Sequence, residues 1–203
     1  AEMVRDYALA VSGLLSPKIG GPSVKPYQPE GDWEAVAMTP SNTRFYKQDS
    51  GEALYRRSMY TFWKRSAPPA SMDVFNAPSR EVCNVRRERT NTPLQALAAL
   101  NDPQLIEAAR HLATNLMRQS TEHTVRIDTL ARQLLSRPLD PRELEIINRS
   151  FESLLAHYNA QADDAKKLLE VGESPTPDDI PAGELAAYTM VANQLLNVDE
   201  VLN

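Results

Sequence analysis

Three times in the second half of the chain an oxygen-bearing side chain stands directly before a proline: Thr92-Pro93, Asp102-Pro103 and Asp140-Pro141. No other feature constrains the backbone as much. The Thr or Asp oxygen accepts from the unbonded amides of a helix's first turn, and the proline takes the first helical position, where an N–H would have had no partner anyway. Each pair predicts a helix start. Apolar periodicity then gives helices over about 93–100, 103–118, 124–136, 141–157 and 160–170, and a last one over 184–201 after a Gly/Pro loop at 172–183. A further helix is expected over 2–15, with Pro17 ending it. The fold class is therefore mainly α, with a helical bundle over about 92–203.

The first half reads differently. Residues 16–31 contain Gly20, Gly21, Pro22, Pro26 and Pro29, which suit an ordered loop or extended crossing. Asp32 is expected to cap a short turn through Trp33 to Ala37. Over 53–66, Tyr55, Met59, Phe62 and Trp63 fall on one 3.6-period face, so a helix is expected there until Pro68 and Pro69 stop it. Residues 70–76 suit a short turn and 78–91 a loop or brief strand. Long ordered loops, Pro/Gly-rich and Arg/aromatic-rich, thus cover about 16–52 and 67–91. At 203 residues and 42% hydrophobic, the chain can bury one core, and 1–203 is read as a single α-helical domain.

Charge is distributed unevenly. Residues 52–91 carry eight Lys/Arg against four acids, in a chain whose net charge is −5. The overall acidity argues against nucleic acid as a partner, and the absence of an apolar run of about 18 residues argues against a membrane span. The single cysteine, Cys83, excludes an internal disulfide, CxxCH haem attachment and a Cys-based zinc site. His111, His123 and His157 lack ligand spacing and are read as helix-surface or partly buried residues. No metal site and no cofactor are expected in this chain.

The candidate site lies in the cationic block. Arg80, Arg86, Arg87 and Arg89 stand within ten residues of one another, with Glu81 and Glu88 among them. Guanidinium forks bind carboxylate, sulfate or phosphate bidentately, and Tyr55, Tyr60 and Trp63 offer flat faces for a sugar ring. The ligand-binding candidates are Arg80, Arg86, Arg87, Arg89, Tyr60 and Trp63. The competing structural reading, which we favour, pairs the arginines with Glu81, Glu88 and helix-end carbonyls to hold a long loop down.

Other features carry less. Gly20-Gly21-Pro22-Ser23-Val24-Lys25 suggests an anion nest but lacks the P-loop pattern, so a packed backbone crossing is the better reading. Among Asp32, Glu34, Asp73, Glu81 and Glu88, the first choices for acid–base work are Asp73 and Glu81. Cys83 is read as a small buried residue. Asn193 and Asn197, four apart, suit capping or bridging between helices.

Four blocks resemble one family: IGGPSVKPYQPEG at 19–31, LYRRSMYTFWKRSAPPASMDVFNAPSREVC at 54–83, VRRERTNTPLQALAALNDPQ at 85–104 and AAYTMVANQLLNVDEVLN at 186–203. They are similar to the C-terminal part of planctomycete-specific domain one, domain of unknown function 1553. The resemblance implies a piece of a large, multidomain, exported bacterial protein, hence an extracytoplasmic (periplasmic or secreted) setting. It also implies neighbouring domains of the same polypeptide, often a cytochrome-c-like one, and a link with polysaccharide use. It supplies no catalytic residue. The expected role is a non-catalytic structural or interaction module contacting its neighbours through residues 54–91. The alternatives are an anionic-glycan-binding or carbohydrate-active domain, and a docking module for a cytochrome-c-like redox domain.

Overall fold

The computed structural model of the chain describes residues 1–202. Among them are ten α-helices, and extended pairing is limited to isolated bridges. The fold is mainly α. In chain order the helices are α1 (Glu2–Ser12), α2 (Asp32–Val36), α3 (Ala70–Val74), α4 (Pro93–Asn101), α5 (Pro103–Gln119), α6 (His123–Leu135), α7 (Pro141–Ala160), α8 (Ala162–Leu169), α9 (Ala182–Leu196) and α10 (Asp199–Leu202). Among the described residues no helix is long and apolar enough to cross a membrane.

All three oxygen–proline pairs start helices. Thr92 Oγ1 accepts from the Gln95 amide at 3.2 Å while Gln95 Oε1 accepts from the Thr92 amide at 2.9 Å. Asp140 and Glu143 repeat this reciprocal arrangement, and Asp102 accepts from the Gln104 amide at 2.8 Å. Each such cap stabilises its helix by about 1 kcal/mol.

The central pair of the bundle is α5 with α9, flanked by α1, α7 and α8. Ala108, Ala109 and Ala113 on α5 and Ala186, Ala187 and Ala192 on α9 are all buried, leaving little side-chain bulk between the two axes. Leu112, Leu185, Tyr188 and Val191 fill the remaining space, and Ile147, Phe151, Ala165 and Leu169 close it from α7 and α8. Asn193 donates to the carbonyl of Leu100 at 3.0 Å and Asn197 to that of Ala96 at 3.1 Å. Asn193 thus satisfies a carbonyl in the last turn of α4, and Asn197, capping α9, reaches the middle of the same helix.

Several expectations need correction. The first helix stops at Ser12, because Gly13 takes a left-handed φ of 79° and turns its amide back to Ala10. Asp32 caps nothing: Gly31, with φ 89°, precedes α2. The last helix breaks after Leu196 into α9 and α10. The largest difference is over 53–66, where the expected α-helix is replaced by 3-10 turns at Gly51–Tyr55 and Ser58–Tyr60 within extended chain. Its backbone bonds go to remote segments: the Ser16 amide donates to Tyr55, the Val24 amide to Tyr60, and the Phe62 amide to Val24. Met59, placed on the presumed apolar face, is 60% exposed. Irregular chain therefore runs almost unbroken from 13 to 92, interrupted only by short turns and α2 and α3.

Candidate functional site

The cationic block divides into two parts with different uses. In the first part Arg56 is buried and its guanidinium donates to the carbonyls of Pro22, Lys18 and Gly20. It also lies 3.9 Å from the ring centroid of Tyr60, whose hydroxyl accepts from the Gly20 amide at 2.8 Å. The Gly20-Gly21 segment thus presents carbonyl oxygens to a cation, the opposite polarity to an anion nest. It is the packed crossing expected from its sequence.

The second part is an exposed arm over residues 79–89. Arg80, in a left-handed conformation at φ 62°, stacks 4.3 Å from the ring centroid of Trp63. Next to it Glu81 accepts two bonds from Arg65, whose guanidinium holds the Glu81 carboxyl below its usual range. At the far end Arg87 forks onto Glu2 of α1, and Thr90 accepts from Asn76 and Gln95 at 2.7 and 2.9 Å. Between these ties the apolar Val82 and Val85 are exposed, Val85 completely. Cys83 is exposed too, correcting the expectation of a buried thiol.

Of the six candidates, then, Arg86, Arg87 and Arg89 are brought together, while Arg80 and Trp63 form a separate stack at the arm's start. Tyr60 sits beneath Arg56. The arginines do pair with carboxylates, but Glu81 goes to Arg65, and Arg87 goes to Glu2. Helix-end and loop carbonyls are taken by other arginines. Of the three aromatic rings proposed as a sugar platform, Tyr60 and Trp63 already carry a guanidinium of this chain on a face, and the Tyr55 hydroxyl is bonded to Glu107.

Arg86, Arg87 and Arg89 rim a groove of about 620 Å³. Its floor includes Val4 and Tyr7 of α1 with Phe75, and Val201 and Leu202 of α10 form part of the opposite wall. Tyr7, Phe75 and Val201 also pack on the core. Tyr7 is fixed further by donating to the Leu134 carbonyl at 2.7 Å.

Two arginines that sequence reasoning missed hold irregular chain to the bundle, Arg5 for the first half and Arg110 for the loop after α8. Arg5 of α1, buried, donates to Gln104 Oε1 at 2.8 Å, to the carbonyls of Leu54 and Arg56 at 2.6 and 2.8 Å, and to Ser58 at 3.1 Å. Arg110 of α5 donates to the carbonyls of Leu169 and Ser174 and to the hydroxyls of Ser174 and Thr176, all at 2.7–2.8 Å. Beside it the fully buried Glu107 accepts from the Tyr55 hydroxyl at 2.8 Å and the Ser174 amide at 2.6 Å. Burial, and then the bond to Glu107, pushes the Tyr55 hydroxyl up, so it remains a donor. Arg5 was detectable: it shares the 5, 8, 9, 12 stripe of the helix with Ala8, Leu9 and Ser12, all buried.

The remaining candidates are structural or solvent-facing. His111 contacts the Ser12 carbonyl at 2.7 Å, and His123 lies between the Tyr188 hydroxyl and Asn148 at 2.8 and 3.1 Å. His157 is near Asp164 at the surface. Asp73 is exposed, and Glu81 is committed to Arg65. Among the described residues no three His, Cys, Asp or Glu are grouped to hold a metal ion.

Comparison with curated proteins and with solved structures finds no match to either. A family model does match, over residues 1–151, and its description is PSD1, protein of unknown function (DUF1553). That span is most of the chain, and it covers α1, the irregular half, the arm and the first half of the bundle. The chain belongs to the DUF1553 family.

Proposed function

We propose that this chain is a non-catalytic interaction module, and that the arm of residues 79–89 is its contact surface for neighbouring domains of a longer, exported polypeptide. One observation carries the reading. All eleven residues of the arm are exposed although both ends are tied down, and the exposed part carries two valines among the arginines. Tying the ends lowers the entropy lost when a partner closes over the middle. The buried arginines support the same reading from the other side, since Arg5, Arg56 and Arg110 are spent on carbonyls and hold loops. The anionic-glycan alternative is weakened by the guanidinium groups lying over Tyr60 and Trp63. The cytochrome-docking alternative would use the same arm.

Limited trypsin digestion tests the proposal, because the arm offers cleavage after Arg86, Arg87 and Arg89. In the isolated chain these bonds should be cut first. In the longer polypeptide they should be cut at least about tenfold more slowly, as expected when opening must precede cleavage. Equal rates in the two would remove the arm as a contact surface.

A further inference from the structure

The groove beside the arm combines features that point to one class of partner. Its volume, 620 Å³, falls within the range of about 300–1,000 Å³ typical of sites that enclose a compact ligand. The floor of Val4, Tyr7 and Phe75 is apolar, and the rim is net cationic, with Arg86, Arg87 and Arg89 against the one carboxylate of Glu88. Arg87 already displays the recognition chemistry on this rim, since its fork holds the carboxylate of Glu2. Its neighbour Arg86 is exposed and pairs with no carboxylate among the described residues. Met3, on the groove wall, is 80% exposed.

We propose that this groove docks an acidic peptide segment of a neighbouring domain, with Asp or Glu side chains on the rim around Arg86 and one aliphatic or aromatic side chain over Val4 and Phe75. The proposal deepens the interaction-module reading and rests on it. Charge complementarity selects the acidic residues, and the floor selects the apolar anchor. A peptide fits better than a sugar because Tyr7 and Phe75 pack against the core, and the more peripheral rings at Tyr60 and Trp63 are covered by Arg56 and Arg80.

Fluorescence anisotropy on the whole chain tests this, using labelled peptides with two Asp or Glu on each side of a central Leu-Phe pair. Versions with Lys replacing the acids serve as one comparison, and heparin as another. The acidic peptides should bind and the lysine versions should not. Affinity should fall about tenfold or more between roughly 20 mM and 300 mM salt. Arg86→Glu and Met3→Glu, both at exposed positions, should each weaken binding at least about tenfold. Arg142→Glu makes the same charge change on α7, outside the groove, and should change it less than about twofold. Absence of binding by the acidic peptides at low salt overturns the proposal. So does equal weakening by Arg142→Glu, which would mean a field effect. Heparin binding that is abolished by Arg86→Glu but indifferent to Met3→Glu, with no peptide binding, would assign the rim to a glycan instead. Protection of the arm from trypsin together with no peptide binding would leave the interaction module standing and sink only this inference.

Discussion

Arg5 of α1 donates through Nη2 to the carbonyl of Leu54 at 2.6 Å, across 49 positions of sequence. Through this bond and its companions a single side chain on the bundle organises the turn at residues 54–58. Asp6 helps from the next position, accepting from the Ser58 amide at 2.7 Å. The irregular half has no sheet or long helix to satisfy its backbone, so guanidinium groups take that role. Arg56 and Arg110 do the same for residues 18–22 and 169–176. Burial disfavours the charge on Arg5 and Arg110, lowering both from the usual range, but each remains a cation surrounded by acceptors.

Replacing Arg5 should therefore be among the costliest single changes in the chain. Arg5→Met strands the Arg56 carbonyl and Gln104 Oε1 in a buried site, at about 1–3 kcal/mol for each group left without a donor, and leaves the Leu54 carbonyl with the Gln104 amide alone at 3.2 Å. A total loss of about 3 kcal/mol or more is expected in urea denaturation. Arg5→Lys keeps the charge but not the planar fork and should still cost about 2 kcal/mol. A loss below about 1 kcal/mol for Arg5→Met would contradict the structural role.

The loop after α8 depends on a close approach. Gly172 has φ +90°, and a Cβ there would lie 2.5 Å from Cδ of Glu107, itself fully buried. Gly172→Ala should destabilise by about 3 kcal/mol, from backbone strain and overpacking together. In a Glu107→Ala background the clash disappears and only the strain remains, so the same change should cost at least about 1 kcal/mol less. A double-mutant cycle by thermal denaturation measures the difference. Additive costs would show that the two positions do not press on one another.

Acid stability should register the triad of Arg137, Glu143 and Glu200. Arg137 binds Glu143 at 2.7 and 2.8 Å and Glu200 at 2.8 and 3.0 Å. The Arg137 guanidinium, and then the Asp140 amide, bring Glu143 down from 4.5 to about 2. The folded value lies below the unfolded one, so between them the unfolded chain binds more protons. The contribution is present above about pH 4.5 and is lost as pH falls through about 2. Glu143→Gln should flatten the decline of stability across that window, and added salt should shrink the difference, because Arg137 and Glu143 are half-exposed and Glu200 is exposed. Parallel pH profiles for the two proteins would refute the assignment.

The helical half was legible because its signals are local. Thr92, Asp102 and Asp140 mark starts through bonds made within three residues, and the α9 sequence is apolar nearly all round, as befits a buried helix. The irregular half was not legible for the same reason. Arg56 binds carbonyls some 34–38 positions away, and a carbonyl is present on every residue, so no pattern of side chains marks its partners. The stretch 53–66 has helical periodicity by accident of its aromatics, but remote segments supply its backbone partners. The site was half legible. Clustering in sequence located the arm and the trio of Arg86, Arg87 and Arg89. It did not reveal that Arg80 would stack on Trp63, or that α1 and α10 would complete a groove.

The position of Arg5 has a consequence for how the molecule tolerates trimming. α1 is eleven residues long and packs on α5, so its removal would look like the loss of one peripheral helix. Yet it carries the anchor for the 54–58 turn, the Glu2 tether of the arm and one side of the groove. Deleting it would release the 54–58 turn and the arm from their guanidinium and carboxylate anchors, leaving the irregular half on the bundle only by such ties as Tyr55 to Glu107 and Gln95 to Thr90, with the groove open on one side.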